Sequence, residues 1–440
     1  MVILRRLDGL CRQRRDRPWR GIRLYLRVTF GGLKPPPTPR IWSVRGAPFA
    51  HARVFMSIVP LYLLSFLLHA FVGWRIVPAL DTLAPDAAIA LALLLGVSAV
   101  LMPMSLIGQR LARGRSTAEV LTWVGLLCMG LFSSLFVLTL LREMALFAAW
   151  GLSSFAPELV SVAAWEEAHA WSAAAVPVLG LAATSIGFLN ARRTAAVVRV
   201  DVPITGLPEA LHGFTVAQIS DIHVGPTIKR GYLQSIVRKV NALDADMVAI
   251  TGDLVDGKVA ELAPHVAPLS KLSSTHGTYF VTGNHEYYSG AHAWVAELER
   301  LGVNVLMNEH VVLQHGAPLV LAGVADYGAH HFDPSHRSDP AAAMLGAPSD
   351  AGMHLLLAHQ PRSAQAAAEA GFQLQLSGHT HGGQFWPWNH FVRFQQPFTA
   401  GLHKLQDLWV YTSRGTGYWG PPNRLGAPSE ITHLRLVKAD

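Results

Sequence analysis

Four long apolar runs constrain this chain more than any other feature. They cover about 54–74, 87–107, 120–141 and 171–189, each close to the roughly 20 residues a helix needs to cross a bilayer. In hydrocarbon no water satisfies a backbone N–H or C=O, so such runs are confined to helices with internal hydrogen bonds. None of the four shows the polar stripe of a helix resting on a soluble core. Pro60, Pro103 and Pro177 fall inside three of them, which membrane helices tolerate. The expectation is an all-α transmembrane region of about four helices over 54–193. Residues 144–160 are also apolar but are interrupted by Gly151, Ser153, Ser154 and Pro157. They are expected as a separate interfacial or re-entrant piece, with a fifth span as the second reading.

The formal net charge of +7 is local. Residues 1–53 form a basic arm with thirteen Lys or Arg against Asp8 and Asp16, so the remainder is slightly acidic. Beside a membrane span, anionic lipid headgroups are the expected partner of such an arm. No nucleic-acid recognition motif accompanies the charge, so nucleic acid is not an expected partner, and no obligate protein partner is evident. Only Cys11 and Cys128 occur, which excludes a disulfide framework or a cysteine-based zinc site. Basic residues also follow the second run (Arg110, Arg113, Arg115) and the fourth (Arg192, Arg193, Arg199). With four spans these segments and the arm share one side, the cytoplasmic one by the Lys/Arg bias. A multi-pass inner (plasma) membrane protein with a cytoplasmic C-terminal domain is expected.

From about 194 to 440 the pattern changes to short strands alternating with amphipathic helices, the mark of an α/β domain. Five motifs follow predicted strands in order: Asp221-Ile-His223, Gly252-Asp253, Gly283-Asn284-His285-Glu286, His359, and Gly378-His379-Thr-His381. Side chains at the ends of neighbouring parallel strands converge on one crevice. Asp221 and His223, like His379 and His381, alternate along the chain, so an extended backbone points each pair the same way. Gly252 lets the chain turn sharply ahead of Asp253. Imidazoles, carboxylates and one amide oxygen suit hard-to-borderline divalent metals. Asp221, His223, Asp253, Asn284, His359, His379 and His381 are seven candidate ligands, about twice what one tetrahedral ion takes, so two ions are expected.

Over about 215–435 this motif set resembles the calcineurin-like metallophosphoesterase superfamily. The resemblance implies a four-layer α-β-β-α sandwich around a dinuclear centre of Mn, Fe, Zn or a mixture. It further implies that one ion takes Asp221, His223, Asp253 and His381. The other takes Asp253, Asn284, His359 and His379, with Asp253 bridging. His285 is implied as the catalytic histidine beside the phosphate. Position 286 is often Asp in the family; here Glu286 keeps the acid and is expected to orient His285. Stretches 379–384, 414–417 and 424–431 look like a bacterial membrane-associated branch whose members include enzymes acting on phospholipids or on UDP-diacylglucosamine. A membrane-anchored hydrolase of a phosphate ester or pyrophosphate, on a lipid or lipid-linked precursor, is the implied function.

In such a site Asn284 and His285 are expected to contact phosphate oxygens. Arg414 and Arg424 are further candidates for phosphate or headgroup contacts, because a guanidinium forms paired bonds to such oxygens; surface ion pairs are the plainer alternative for both. The aromatic stretch 385–394 is expected to cover one end of the sandwich, with an acyl pocket or a membrane interface as the second reading. His330 and His331 read as surface loop residues. Two other functional readings stay open: a membrane-tethered nucleotide phosphodiesterase, and a non-catalytic metal-binding sensor. The intact Asn284-His285-Glu286 argues against the sensor, because metal binding alone does not require His285.

Overall fold

The computed structural model describes residues 49–111, 115–155 and 161–439. The basic arm up to residue 48, with Cys11, lies outside them, as do Arg113 and Pro157. The first helices are α1 (Phe49–Asp81), α2 (Pro85–Leu111), α3 (Arg115–Phe155) and α4 (Val162–Arg192). All four are long and apolar enough to cross a membrane. Val72 and Ile76 of α1, Leu91 and Leu95 of α2, Phe132 and Leu135 of α3 and Val176 of α4 form their shared core. Leu67, Leu93, Phe147 and Leu181 face outward and are exposed. A helix apolar on every side suits a lipid surround, where no polar face is wanted.

Residues 144–155 do not form a separate piece; they continue α3 without a break. The serines expected to interrupt them bond back to the helix, Ser153 and Ser154 both donating to the Trp150 carbonyl at 2.8 and 2.9 Å. A hydroxyl satisfied in this way is compatible with a continuous helix. The charged groups here are matched. Buried Arg142 pairs with Glu143 at 2.5 Å and donates to Ser172 Oγ at 2.9 Å and the His169 carbonyl at 3.0 Å. Glu143 also pairs with Arg75. Mutual pairing of this kind is how charges persist near hydrocarbon.

After α4 the chain forms β1 (Ala196–Ile204), β2 (Thr215–Ile219), α5 (Arg230–Asn241), β3 (Met247–Ile250), α6 (Val259–Val266), β4 (Thr278–Phe280), α7 (Asn284–Ser289), α8 (Ala291–Arg300) and β5 (Asn304–Val305). It continues with β6 (Glu309–Gln314), β7 (Pro318–Gly323), α9 (Pro340–Ala343), β8 (Met353–Leu357), α10 (Ala364–Glu369), β9 (Leu374–Ser377), β10 (Gly401–Leu405), β11 (Leu408–Thr412) and β12 (Glu430–Lys438). Two sheets result, ordered β1-β12-β2-β3-β4-β5 and β10-β11-β9-β8-β7-β6. Strands β2, β3 and β4 are parallel, as are β7, β8 and β9.

The period of two along the strands builds the layers. Val216, Met247 and Ala249 meet Leu319, Leu355 and Leu374 between the sheets. Their neighbours Ala217, Val248 and Ile250 turn outward to Ile236 of α5, Leu262 of α6 and Trp294 of α8. On the opposite face Leu356 and Val410 pack on Ala364 and Ala367 of α10. The product is an α-β-β-α sandwich preceded by four apolar helices, the fold class expected from the sequence.

The sandwich touches the helices directly. The Trp388 indole N–H donates to Ser133 Oγ of α3 at 2.9 Å, and the Arg424 N–H donates to the Gly187 carbonyl of α4 at 2.9 Å. Lys229 pairs with Glu119 at 2.9 Å, and the Arg192 guanidinium donates to Tyr418 Oη and the Thr227 carbonyl. Gly187 permits this approach, since a Cβ there would lie 1.7 Å from Asn423 Oδ1.

Candidate metal centre

The five motifs lie just beyond the C-terminal ends of β2, β3, β4, β8 and β9. Asp221, His223, Asp253, His379 and His381 all have φ between 51° and 70°. Non-glycine residues rarely adopt this left-handed conformation, and it costs about 1–3 kcal/mol each unless the surroundings impose it. The alternate residues Asp221 and His223 therefore converge through left-handed turns, and not through the extended strand that their spacing suggested. Close backbone approach at the site needs glycine. A Cβ on Gly252 would sit 2.7 Å from His359 Nδ1, and one on Gly378 would sit 2.1 Å from an Asp221 carboxylate oxygen.

All seven candidate ligands come together. His381 Nε2 lies 3.5 Å from Asp221 Oδ1 and 3.0 Å from His223 Nε2. His359 Nε2 lies 3.2 Å from Asp253 Oδ2 and 3.2 Å from His379 Nδ1, which is 3.1 Å from Asn284 Oδ1. Three overlapping groups of metal-competent donors result, Asp221–His223–His381, Asp253–His359–His379 and His223–Asp253–His285, and a fourth, His292–Asp333–His336, lies apart from them; Asp253 also falls within reach of His223. Hydrogen bonds behind the rings aim them: His359 Nδ1 contacts the Thr251 carbonyl at 2.7 Å and His223 Nδ1 contacts Asp256 Oδ1 at 3.1 Å. Such contacts set the tautomer so that the other nitrogen is free to ligate.

The electrostatics fit a pair of cations. Asp221 and Asp253 are both buried, a costly placement for carboxylates without a positive partner. Burial raises the Asp221 pKa. Burial acts the same way on Asp253, but His359, with His285 and His223, holds it well below the usual range. Burial and then the charge of His359 push His379 down to about 3. Burial and then Arg424 hold His381 well below the ordinary imidazole range. The neutral His379 and His381, with buried carboxylates and an amide oxygen, suit divalent metal ions. His359 differs: burial lowers its pKa, but the Asp253 charge and bond outweigh this and hold it well above the ordinary imidazole range.

His285 sits at the rim. Its backbone N–H donates to Asp253 Oδ1 at 2.9 Å and its Nδ1 lies 2.6 Å from Asp256 Oδ1. Burial lowers its pKa, but the Asp256 bond and the Asp253 charge outweigh this and bring it to about 9. Tyr288 and Trp419 stand edge-on to the ring, with centroids at 5.2 and 5.7 Å. Asp256 is the residue that sequence reasoning missed; its place three residues after Asp253 was the available signal.

The expectation that Glu286 orients His285 is corrected. Glu286 is fully buried, and its carboxylate accepts the N–H groups of Gly283 (2.7 Å), Asp253 (3.0 Å) and Leu254 (2.8 Å). By accepting the N-cap Gly283 N–H it caps the first turn of α7, and it ties that turn to the β3 loop. Burial and then the Asp253 charge push its pKa up to about 7, against the Gly283 and Leu254 N–H groups. Glu286→Ala is expected to lower stability by about 3 kcal/mol or more, because three buried donors lose their acceptor. Glu286→Gln, which keeps an acceptor oxygen, is expected to lose less. Denaturant unfolding of both variants checks this, and equal midpoints for native chain and Glu286→Ala would refute the bracing role.

Of the two arginines, Arg414 takes the ion-pair alternative and Arg424 takes neither of the two expected roles. Arg424 is fully buried and donates to the carbonyls of Gly417, His381 and Arg414. It is a pillar under the His381 turn and neither a phosphate ligand nor a surface pair. Arg414 pairs with Glu430 at 2.9 Å and is absent from the cavity wall. His330 and His331 lie in a short surface turn.

The metal-ligand cluster opens onto a cavity of about 850 Å³. Asp253, Asn284, His285 and His379 line one end; Leu68, Met102, Met129, Phe132 and Phe136 of the apolar helices line another part. The aromatic stretch 385–394 supplies Phe385, Trp388, Phe391 and Val392 to the same wall. It therefore joins the site to the helices, beyond merely capping the sandwich.

Residues 214–383 match the family model described as calcineurin-like phosphoesterase. The chain is 42% identical over 280 residues to a transmembrane protein with metallophosphoesterase domain from Bos taurus, covering 60% of this chain and 63% of that one. A Danio rerio protein of the same description is 38% identical over 287 residues, covering 62% and 65%. The chain thus spans a little under two thirds of these relatives. An uncharacterized metallophosphoesterase from Aquifex aeolicus is 30% identical over 223 residues, half of this chain and 84% of that protein.

Proposed function

The chain belongs to the calcineurin-like phosphoesterases, and on that premise we propose that it is a membrane-anchored two-metal hydrolase of a phosphorylated lipid or lipid-linked phosphate. The observation that carries the lipid reading is the single cavity shared by the metal-ligand cluster and the apolar helices. In this reading Asp221, His223, Asp253 and His381 would hold one divalent ion, and Asp253, Asn284, His359 and His379 would hold the other. Bound divalent ions supply charge neutralisation at the phosphate and water of lowered pKa. Asn284 and His285 meet the phosphate oxygens. Asp256 fixes the His285 ring at Nδ1, which leaves the second nitrogen to donate a hydrogen bond or a proton to the departing oxygen. Tyr288, Trp388 and Phe391 crowd the remaining approach with apolar surface and limit water. The test compares lipid-linked phosphates with water-soluble esters and nucleotides, using full-length protein in micelles with manganese. Higher kcat/KM on the lipids is expected, and equal or better efficiency on nucleotides would contradict the reading.

We also propose that the catalytic domain is cytoplasmic, in an inner or plasma membrane. The support is the basic arm, Arg110, Arg113 and Arg115, and Arg192, Arg193 and Arg199, combined with the even number of apolar helices among the described residues. A C-terminal reporter that works only outside the cytoplasm is expected to stay silent. Reporter activity would place the domain on the other side.

A further inference from the structure

We infer that the membrane helices themselves bind the substrate, holding its hydrocarbon tail against Leu68, Met102, Met129, Phe132 and Phe136, and that a single phosphate joins that tail. This deepens the lipid reading and rests on it. These five side chains come from α1, α2 and α3 and line the same cavity as Asp253, Asn284 and His379. A ligand with its phosphate at the cluster and its tail along the cavity thus reaches bundle residues without leaving the protein. The far wall is fastened in place, because the Trp388 indole donates to Ser133 of α3.

The number of phosphates follows from charge. Among the described residues lining the cavity there is no Lys or Arg, and the one carboxylate is Asp253. The imidazoles His223, His285, His379 and His381 are gathered at the cluster. The nearby arginines are committed elsewhere, Arg414 to Glu430, Arg424 to backbone carbonyls and the exposed Arg362 to the Gln395 carbonyl. Beyond the cluster and its rim residue His285, a second phosphate further along the cavity would meet no Lys or Arg on the wall, which is unfavourable. The polar groups present along the wall are neutral: Ser133, Thr380, Gln384, Gln395 and Gln396. Gln396 is buried, and its Oε1 has no hydrogen-bond partner, which suits a hydroxyl on the linker between phosphate and tail. The substrate class is a lipid monophosphate ester. In its hydrolysis the water oxygen bonds to phosphorus as the bond from phosphorus to the ester oxygen breaks. The lipid alcohol leaves with a proton, and phosphate is the other product.

The experiment uses the full chain in detergent micelles and three probes: a long-chain monoacylglycerol phosphate, its diphosphate counterpart, and a water-soluble aryl phosphate. For Met129→Trp and Met102→Trp, which fill the tail region, the ratio of kcat/KM on the lipid monophosphate to that on the aryl phosphate is expected to fall by about tenfold or more. An unchanged ratio overturns the tail site. The native chain is expected to favour the monophosphate lipid over the diphosphate by about tenfold or more; equal or better use of the diphosphate overturns the single-phosphate assignment. A monoacylglycerol phosphate with a photoreactive group in its tail is expected to label the segment of α3 containing Met129, Phe132 and Phe136, independently of turnover. Labelling confined to outward helix faces overturns the proposal even if the tryptophan variants fail to fold. Failure to hydrolyse all three probes with manganese present would instead remove the underlying phosphoesterase reading.

Discussion

A His285→Ala chain is expected to turn over substrate about a hundredfold or more slowly than the native chain, the usual scale for a proton-donating side chain, while keeping its metal content. His285 directs Nδ1 to Asp256 at 2.6 Å and its backbone N–H to Asp253 at 2.9 Å. It stands at the cavity rim, whereas His359 and His379 face Asp253 and Asn284. Removing its ring therefore deletes a group that meets the phosphate and leaves the seven ligands in place. Steady-state kinetics and elemental analysis on one preparation decide it. Loss of metal together with activity would make His285 a ligand and overturn the assigned role.

Asp253→Asn is expected to have the larger effect, on the order of a thousandfold or more in turnover, since about 4 kcal/mol of charge stabilisation corresponds to three factors of ten. Among the described residues Asp253 is the one carboxylate within reach of both donor groups. Its buried charge is matched by His359, His285 and His223, and its Oδ1 holds the His285 N–H. The amide removes the charge and replaces one acceptor with a donor. The control is thermal unfolding: the sandwich core around Val216, Met247 and Leu355 is untouched, so a folded but inactive chain is the expected outcome. A folded variant with near-native turnover would remove Asp253 from the centre of the mechanism.

Much of this site was legible because strand ends announce themselves. Asp221, Asp253, Asn284, His359 and His379 each follow a short apolar run that forms a strand, and parallel strands leave their C-terminal ends on one crevice. The four apolar helices were legible from length and composition alone. The misses share a physical cause, which is that partners distant in sequence decided them. Glu286 lies next to His285 yet turns to the backbone of Asp253 and Leu254, a choice that periodicity does not encode. Arg424 reads as a solvent cation until its burial under the His381 turn is seen. Asp256 gained its role by reaching His223 and His285 together. Residues 144–155 looked broken because serine and glycine weaken an isolated helix, whereas in α3 those serines bond back to Trp150. The aromatic stretch 385–394 found its place through Ser133, more than 250 residues earlier in the chain.

The central claim is that two divalent ions share Asp253. Elemental analysis of the full chain, purified in detergent, stripped of metal and reconstituted with manganese, tests it most directly. The account predicts a plateau near two ions per chain for the native protein and a lower plateau for Asp253→Asn. A plateau of one ion in the native chain, unchanged in Asp253→Asn, would contradict it.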